Sequence, residues 1–186
     1  MELPSDLPVP DDDGAAAHLT GMRMPHVVLA STRGRKVDLS SLGGDRTVLY
    51  LYPRTGRPGH EVPAGWDAIP GARGCTPESC GFRDHFRELK GLGAGVFGLS
   101  TQDTAYQREA AQRLELPFEL LSDVDFQLTD AMRLPTFEFE GVRLLKRLTM
   151  VVRDGAVEHV FYPVFPPDSH AEQVVAWLSE RTGVRA

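Results

Sequence analysis

Residues 74–100 read GCTPESCGFRDHFRELKGLGAGVFGLS, and this stretch decides the architecture. Thr76-Pro77 is a helix-start signal: a capping hydroxyl, then proline at the first helical position, with Glu78 complementing the helix dipole. Phe82, Phe86 and Leu89 follow at i, i+4 and i+7, which gives the helix one apolar face, and Gly91 and Gly93 end it. Ala94 to Leu99 then reads as a strand. Upstream, Thr47-Val48-Leu49-Tyr50-Leu51-Tyr52 is a short β-rich apolar run closed by Pro53, the pattern of a buried central strand. A strand, a helix and a strand in that order predict a parallel pair with its crossover.

Working outward, residues 104–114 read as a helix, Phe118 to Leu121 as a strand or strand end, and Asp125 to Met132 as a short helix. Leu144 to Val152 and Val157 to Tyr162, joined by Arg153-Asp154-Gly155, predict a hairpin. Ser169 opens a last helix with Ala171, Val174, Val175 and Leu178 on one side, and a small hairpin near the N-terminus turns at Arg33-Gly34-Arg35. The order β-α-β-α-β, then a hairpin and a closing helix, predicts an α/β protein of thioredoxin-like fold, a central mixed β-sheet flanked by helices. Residues 54–74, RTGRPGHEVPAGWDAIPGARG, fit no element: dense in Gly and Pro, with neither a strand nor a helix period. A structureless loop this long is uncommon in a compact domain and is usually functional or disordered.

The 186 residues suffice for one domain with a full core, and the hydrophobic fraction of 41% and charged fraction of 25% are ordinary for a globular protein. A net charge of −6 argues against a nucleic-acid partner, which would need a concentrated basic surface. No apolar run has the length to cross a membrane. The opening MELPSDLPVPDDDG is acidic and proline-rich with no apolar core of a signal peptide, so residues 1–18 are expected to form a poorly ordered arm, residues 19–186 the domain, and the cytoplasm is the expected location.

The chain has two cysteines, Cys75 and Cys80, five residues apart. In a reducing compartment such a pair is inert core, half of a metal site, or redox chemistry. Cys75 sits where a Gly-rich loop gives way to a helix, and a helix start favours a thiolate. If both lay within one α-helix, the rise alone would be about 7.5 Å, beyond the roughly 7 Å limit on Cα separation in a disulfide. If the helix starts at Pro77, Cys75 lies just outside it; neither arrangement supports a preformed static bond. His60 and His85 with the two cysteines make a poor zinc set, because Cys-x4-Cys is loose for zinc and no second pair exists. No metal or organic cofactor is indicated.

GCTPESCGFRD, preceded by VLYLYP, resembles the peroxiredoxins, specifically the Q type (bacterioferritin-comigratory proteins). The resemblance continues through GVFGLST, LPFELLSDVDFQLTDAM and RLTMVVRDGAVEHVF and covers roughly residues 24–180. It implies a peroxidase in which Cys75 attacks the peroxide, Cys80 resolves the sulfenic acid as a disulfide, and Arg147 stabilises the thiolate and holds the peroxide oxygens. It also implies peroxide as substrate, a thioredoxin-like dithiol as reductant, and a monomer. Read from the residues alone, Arg147 is a solvated strand residue like Lys146 and Arg143. Two departures stand out. Ala72 occupies the position, three before the cysteine, where the family has Thr or Ser; Thr55 is the candidate replacement hydroxyl, while Thr76 reads as a helix cap. The loop 54–74 is also much longer than the family's connection and is expected to cover or narrow the approach to Cys75. Two other readings share the fold: a disulfide oxidoreductase, against which the missing Cys-x-x-Cys pair counts, and a non-enzymatic redox sensor.

Overall fold

The computed structural model describes residues 3–42 and 45–183. The N-terminal hairpin is β1 (Val28–Ser31) and β2 (Lys36–Asp38). The apolar run becomes β3 (Arg46–Leu51), followed by the long loop, α1 (Cys75–Asp84), α2 (Phe86–Gly91) and β4 (Ala94–Ser100). Then come α3 (Thr104–Arg113), β5 (Glu119–Ser122), α4 (Gln127–Ala131), β6 (Thr136–Phe139) and β7 (Val142–Leu145). The chain closes with β8 (Leu148–Arg153), β9 (Ala156–Phe161) and α5 (His170–Thr182).

Seven strands form one mixed sheet in the order β2-β1-β5-β4-β3-β8-β9, and β6 and β7 form a separate two-stranded sheet. β3 is central, parallel to β4 and antiparallel to β8. Its alternating side chains feed two cores, as a pleat with period two requires. Val48, Tyr50 and Tyr52 pack with Phe82, Leu89, Val174 and Leu178 of the helices on one face. Leu49 and Leu51 pack on the other face with Leu121, Leu148, Met150 and Leu128. Gly98 of β4 makes this arrangement possible, because a Cβ there would lie 2.6 Å from the Tyr50 ring.

Three expectations change. The helix starts at Cys75 rather than Pro77, with Gly74 as its cap at φ 106°. A left-handed glycine turns the chain straight into the helix, and Pro77 is tolerated in the first turn because its missing N–H has no intrahelical acceptor to lose. The helix then breaks at His85, letting Phe82 stack on Tyr50 at 4.5 Å while Phe86 meets Phe118 at 5.9 Å. The predicted strand 144–152 is two strands: Leu144 and Leu145 end β7, and β8 begins at Leu148. Lys146 and Arg147 form the corner between them, where the Lys146 amide donates to the Pro135 carbonyl at 2.8 Å.

Part of the expected arm makes specific contacts. Ala16 is buried in the core beside Leu19, the first residue of the expected domain, and the Asp13 carboxylate accepts from Lys146 Nζ at 2.6 Å and from the Tyr162 hydroxyl at 2.7 Å.

Candidate active site

Cys75 is the first helical residue of α1 and is 3% exposed. At this position the N–H groups of the first turn have no intrahelical acceptors and the positive end of the dipole faces the sulfur. The corner between β7 and β8 delivers Arg147 to the same point, and its Nη2 donates to Cys75 Sγ at 3.1 Å. Arg147 is 3% exposed, so it is no solvated strand residue. An anion on the sulfur would meet a guanidinium and a helix terminus together, the setting that makes a thiol nucleophilic.

The guanidinium is held on every side. Nε donates to the Gly71 carbonyl at 3.3 Å, and Nη2 donates also to the carbonyls of Ala72 at 3.4 Å and Arg73 at 3.2 Å. Nη1 donates to Glu78 Oε2, a buried ion pair. Burial alone would favour the neutral guanidinium, but Cys75 and Glu78 hold its pKa above the ordinary arginine value. Glu78 is fully buried, and burial pushes its carboxyl up to about 7 against the pull of Arg147. Its other oxygen, Oε1, has no hydrogen-bond partner among the described residues.

Cys80 lies in the same helix, half-buried, and both cysteines are free thiols. With both in α1, the helical rise between them is about 7.5 Å. A disulfide therefore requires the first turn to open. Ala72 is buried, and its carbonyl accepts from Cys75 Sγ at 3.7 Å. The Thr55 hydroxyl donates to Gln102 Oε1 at 3.3 Å, and no hydrogen bond among the described residues joins Thr55 to Cys75 or Arg147. Thr76 is not the cap, since Gly74 holds that position. His85 pairs with Glu88 at 3.0 Å and His60 is exposed; among the described residues no three His, Cys, Asp or Glu side chains gather as metal ligands.

The loop is a built part of the site. Its last carbonyls cradle Arg147, and its one turn of 3-10 helix, Trp66–Ala68, seats Trp66 against Phe139 at 5.1 Å and Phe137 at 6.0 Å. Arg54 stacks over the Trp66 ring at 4.5 Å. Sequence reasoning missed Glu78 as a partner of the arginine, taking it only as a dipole complement. The signal was present: Glu78 is three residues from Cys75 and so shares its helix face.

The family model described as Redoxin matches residues 19–175. The chain belongs to the Redoxin family. Peroxiredoxin Bcp of Escherichia coli (strain K12) is 31% identical over 160 residues, 84% of this chain and 92% of that relative. Peroxiredoxin Q, chloroplastic, from rice (Oryza sativa subsp. japonica) is 30% identical over 158 residues, 85% of this chain, which spans 65% of that relative's length. Among solved structures, peroxidoxin BcpB from Mycobacterium tuberculosis superimposes with a TM-score of 0.70 at 28% identity, covering 90% of this chain and 98% of that one. The Redoxin fold thus has the thioredoxin-like arrangement expected from the element order. No helix among the described residues is long and apolar enough to cross a membrane.

Proposed function

We propose that this Redoxin-family chain is a thiol peroxidase using an atypical two-cysteine mechanism. The observation that carries the reading is the Arg147 guanidinium at 3.1 Å from Cys75 Sγ, at the N-terminus of α1. The Cys75 thiolate attacks the distal oxygen of hydrogen peroxide or an organic hydroperoxide; the O–O bond breaks, the sulfur becomes a sulfenic acid, and the other oxygen leaves as water or alcohol after taking a proton. Arg147 donates to the charge that develops along the S–O–O line, where a buried, fixed donor acts most strongly. Cys80 then displaces hydroxide from the sulfenic acid as water, giving a Cys75–Cys80 disulfide. A thioredoxin-like dithiol reduces it by exchange. The proposed setting is the cytoplasm, with the protein acting as a monomer.

The test is intact-mass measurement after one equivalent of peroxide. Loss of two hydrogens is expected in the wild type, and addition of one oxygen in Cys80→Ser. Turnover with a dithiol present distinguishes the enzyme from a stoichiometric redox sensor. If Cys75→Ser consumed peroxide at the wild-type rate, the assignment would be wrong.

A further inference from the structure

The peroxidase reading leaves the segment before Leu19 unused, yet that segment borders the site at three places. A side chain at Gly74 would project into space filled by the Pro167 ring and by Leu3, whose Cδ2 lies 3.5 Å from the ideal Cβ position. A side chain at Gly71 would meet Pro10, whose Cγ lies 3.6 Å from the same construction. Asp13 grips Lys146, the residue before Arg147, at 2.6 Å. Residues 71–74 lead directly into Cys75, and three of their carbonyls cradle the arginine. Ala16 and Leu19, buried in the core, root the segment.

We propose that residues 3–13 form a strap that holds the first turn of α1 folded and thereby sets how fast oxidised Cys75 passes to Cys80. The proposal rests on the peroxidase reading. Forming the disulfide requires the first turn to open, because the helical rise over five residues is by itself about 7.5 Å. Opening that turn moves residues 71–75, and Leu3 and Pro10 lie on them. No hydrogen bond among the described residues links residues 3–13 to Cys75, Glu78 or Arg147, so the first oxidation does not depend on the strap. The strap lacks regular structure and is only partly buried, with Val9 at 63% exposure. Segments of this kind open locally at low free-energy cost.

The strap therefore controls a partition. While it is closed, the sulfenic acid waits beside Arg147 and meets a second peroxide, which converts Cys75–SOH to Cys75–SO₂H and is itself reduced to water or alcohol. When it lifts, Cys80 reaches the sulfur first, and the product is the disulfide plus water.

The experiment uses full-length chains carrying Leu3→Ser with Pro10→Ser and, separately, Asp13→Asn. Rapid-quench mass spectrometry follows sulfenic acid, disulfide and sulfinic acid after hydrogen peroxide is added. Hydrogen exchange follows the amides of residues 75–79 other than Pro77, which has no N–H. The double variant is expected to form the disulfide about fivefold faster, equivalent to about 1 kcal/mol. Its sulfinic fraction in excess peroxide should fall, its 75–79 amides should exchange faster, and its first-oxidation rate should stay within about twofold of wild type. Asp13→Asn is expected to move the same quantities in the same direction by less. Wild-type resolution and exchange in both variants, with Cys75 still oxidised normally, would overturn the strap and leave the peroxidase reading standing. No oxidation of Cys75 in the wild type itself would overturn both.

Discussion

The first turn of α1 and its middle carry the same chemical group in opposite settings. At the first turn, Cys75 is buried, faces a guanidinium, and shares its face with a buried carboxylate that balances that cation. One and a half turns later, Cys80 is half-buried, and its charged neighbour Arg83 is engaged by Asp84 at 2.8 Å and by the Leu114 carbonyl at 3.0 Å. The first sulfur sits in a fixed electrostatic frame, while the second stands where a moving partner can reach it. Nucleophilic attack needs preorganisation and resolution needs motion, and a single ten-residue helix holds both requirements, one at its first turn and one at its middle.

The sharpest way to break this asymmetry is to exchange the roles. Cys75→Ser is expected to lower peroxide consumption by more than about a thousandfold, because the remaining thiol lacks the frame; stopped-flow peroxide assays measure this. Arg147→Gln keeps the nucleophile and removes its cation. The first-oxidation rate should fall by about 10²–10³-fold. The variant should also lose about 3–5 kcal/mol in urea unfolding, since Glu78 is left buried without its partner. Adding Glu78→Gln should restore part of that stability but none of the rate, which separates charge balance from catalysis.

Cys80→Ser leaves the frame intact, so its single-turnover oxidation should stay within about twofold of wild type. Steady-state turnover should drop about tenfold or more as sulfinic acid accumulates, read by intact mass under repeated peroxide addition.

The smallest effect is on pH dependence, where two buried groups oppose each other. Burial pushes Glu78 up from 4.5 to about 7, so its stabilisation is full at low pH and is lost as pH rises through 7. Burial pushes His170 down from 6.5 to about 4, so its stabilisation is full above 6.5 and is lost as pH falls through 4. His170 contacts Thr149 Oγ1 at 2.8 Å and packs edge-on to Phe82 of α1 at 5.7 Å. Between pH 4.5 and 6.5 the Glu78 slope is opposed in the wild type by that of His170, and by that of His159, which burial also lowers. His170→Gln should unmask the Glu78 slope, with stability falling by about 1–3 kcal/mol from pH 4.5 to 7 in urea titrations. A flat profile in that variant would contradict the raised Glu78 carboxyl.

The sheet was legible because apolar period and punctuation report it directly. Thr47 to Tyr52 and Ala94 to Leu99 are apolar runs bounded by breakers, and both became central strands. The Arg153-Asp154-Gly155 turn joined β8 to β9 as read. The start of α1 stayed open between Cys75 and Pro77, because Thr76-Pro77 is a start signal by itself and only the backbone shows Gly74 in the left-handed conformation that turns the chain into the helix at Cys75. Cys75 was recognisable from its helix start. Arg147 was not, because nothing in KRLTMVV distinguishes a cation at a buried corner from one on a wet strand. Its partners are mostly main-chain carbonyls, which no side-chain pattern encodes.

That cradle has a consequence for how the chain tolerates change. Gly71, Ala72 and Arg73 serve the guanidinium through carbonyl oxygens, so the side chain at position 72 is not part of the wiring and the path of the backbone is. Substitutions that keep that path and fit the buried space against Trp66 and Leu144 should be silent there, whereas deleting one residue from the end of the loop would pull three acceptors out of place at once. The exposed stretch Pro58 to Glu61 lies ten or more residues upstream of those acceptors in sequence. It offers an attachment point for a fluorophore or an affinity handle that leaves the arginine's wiring untouched.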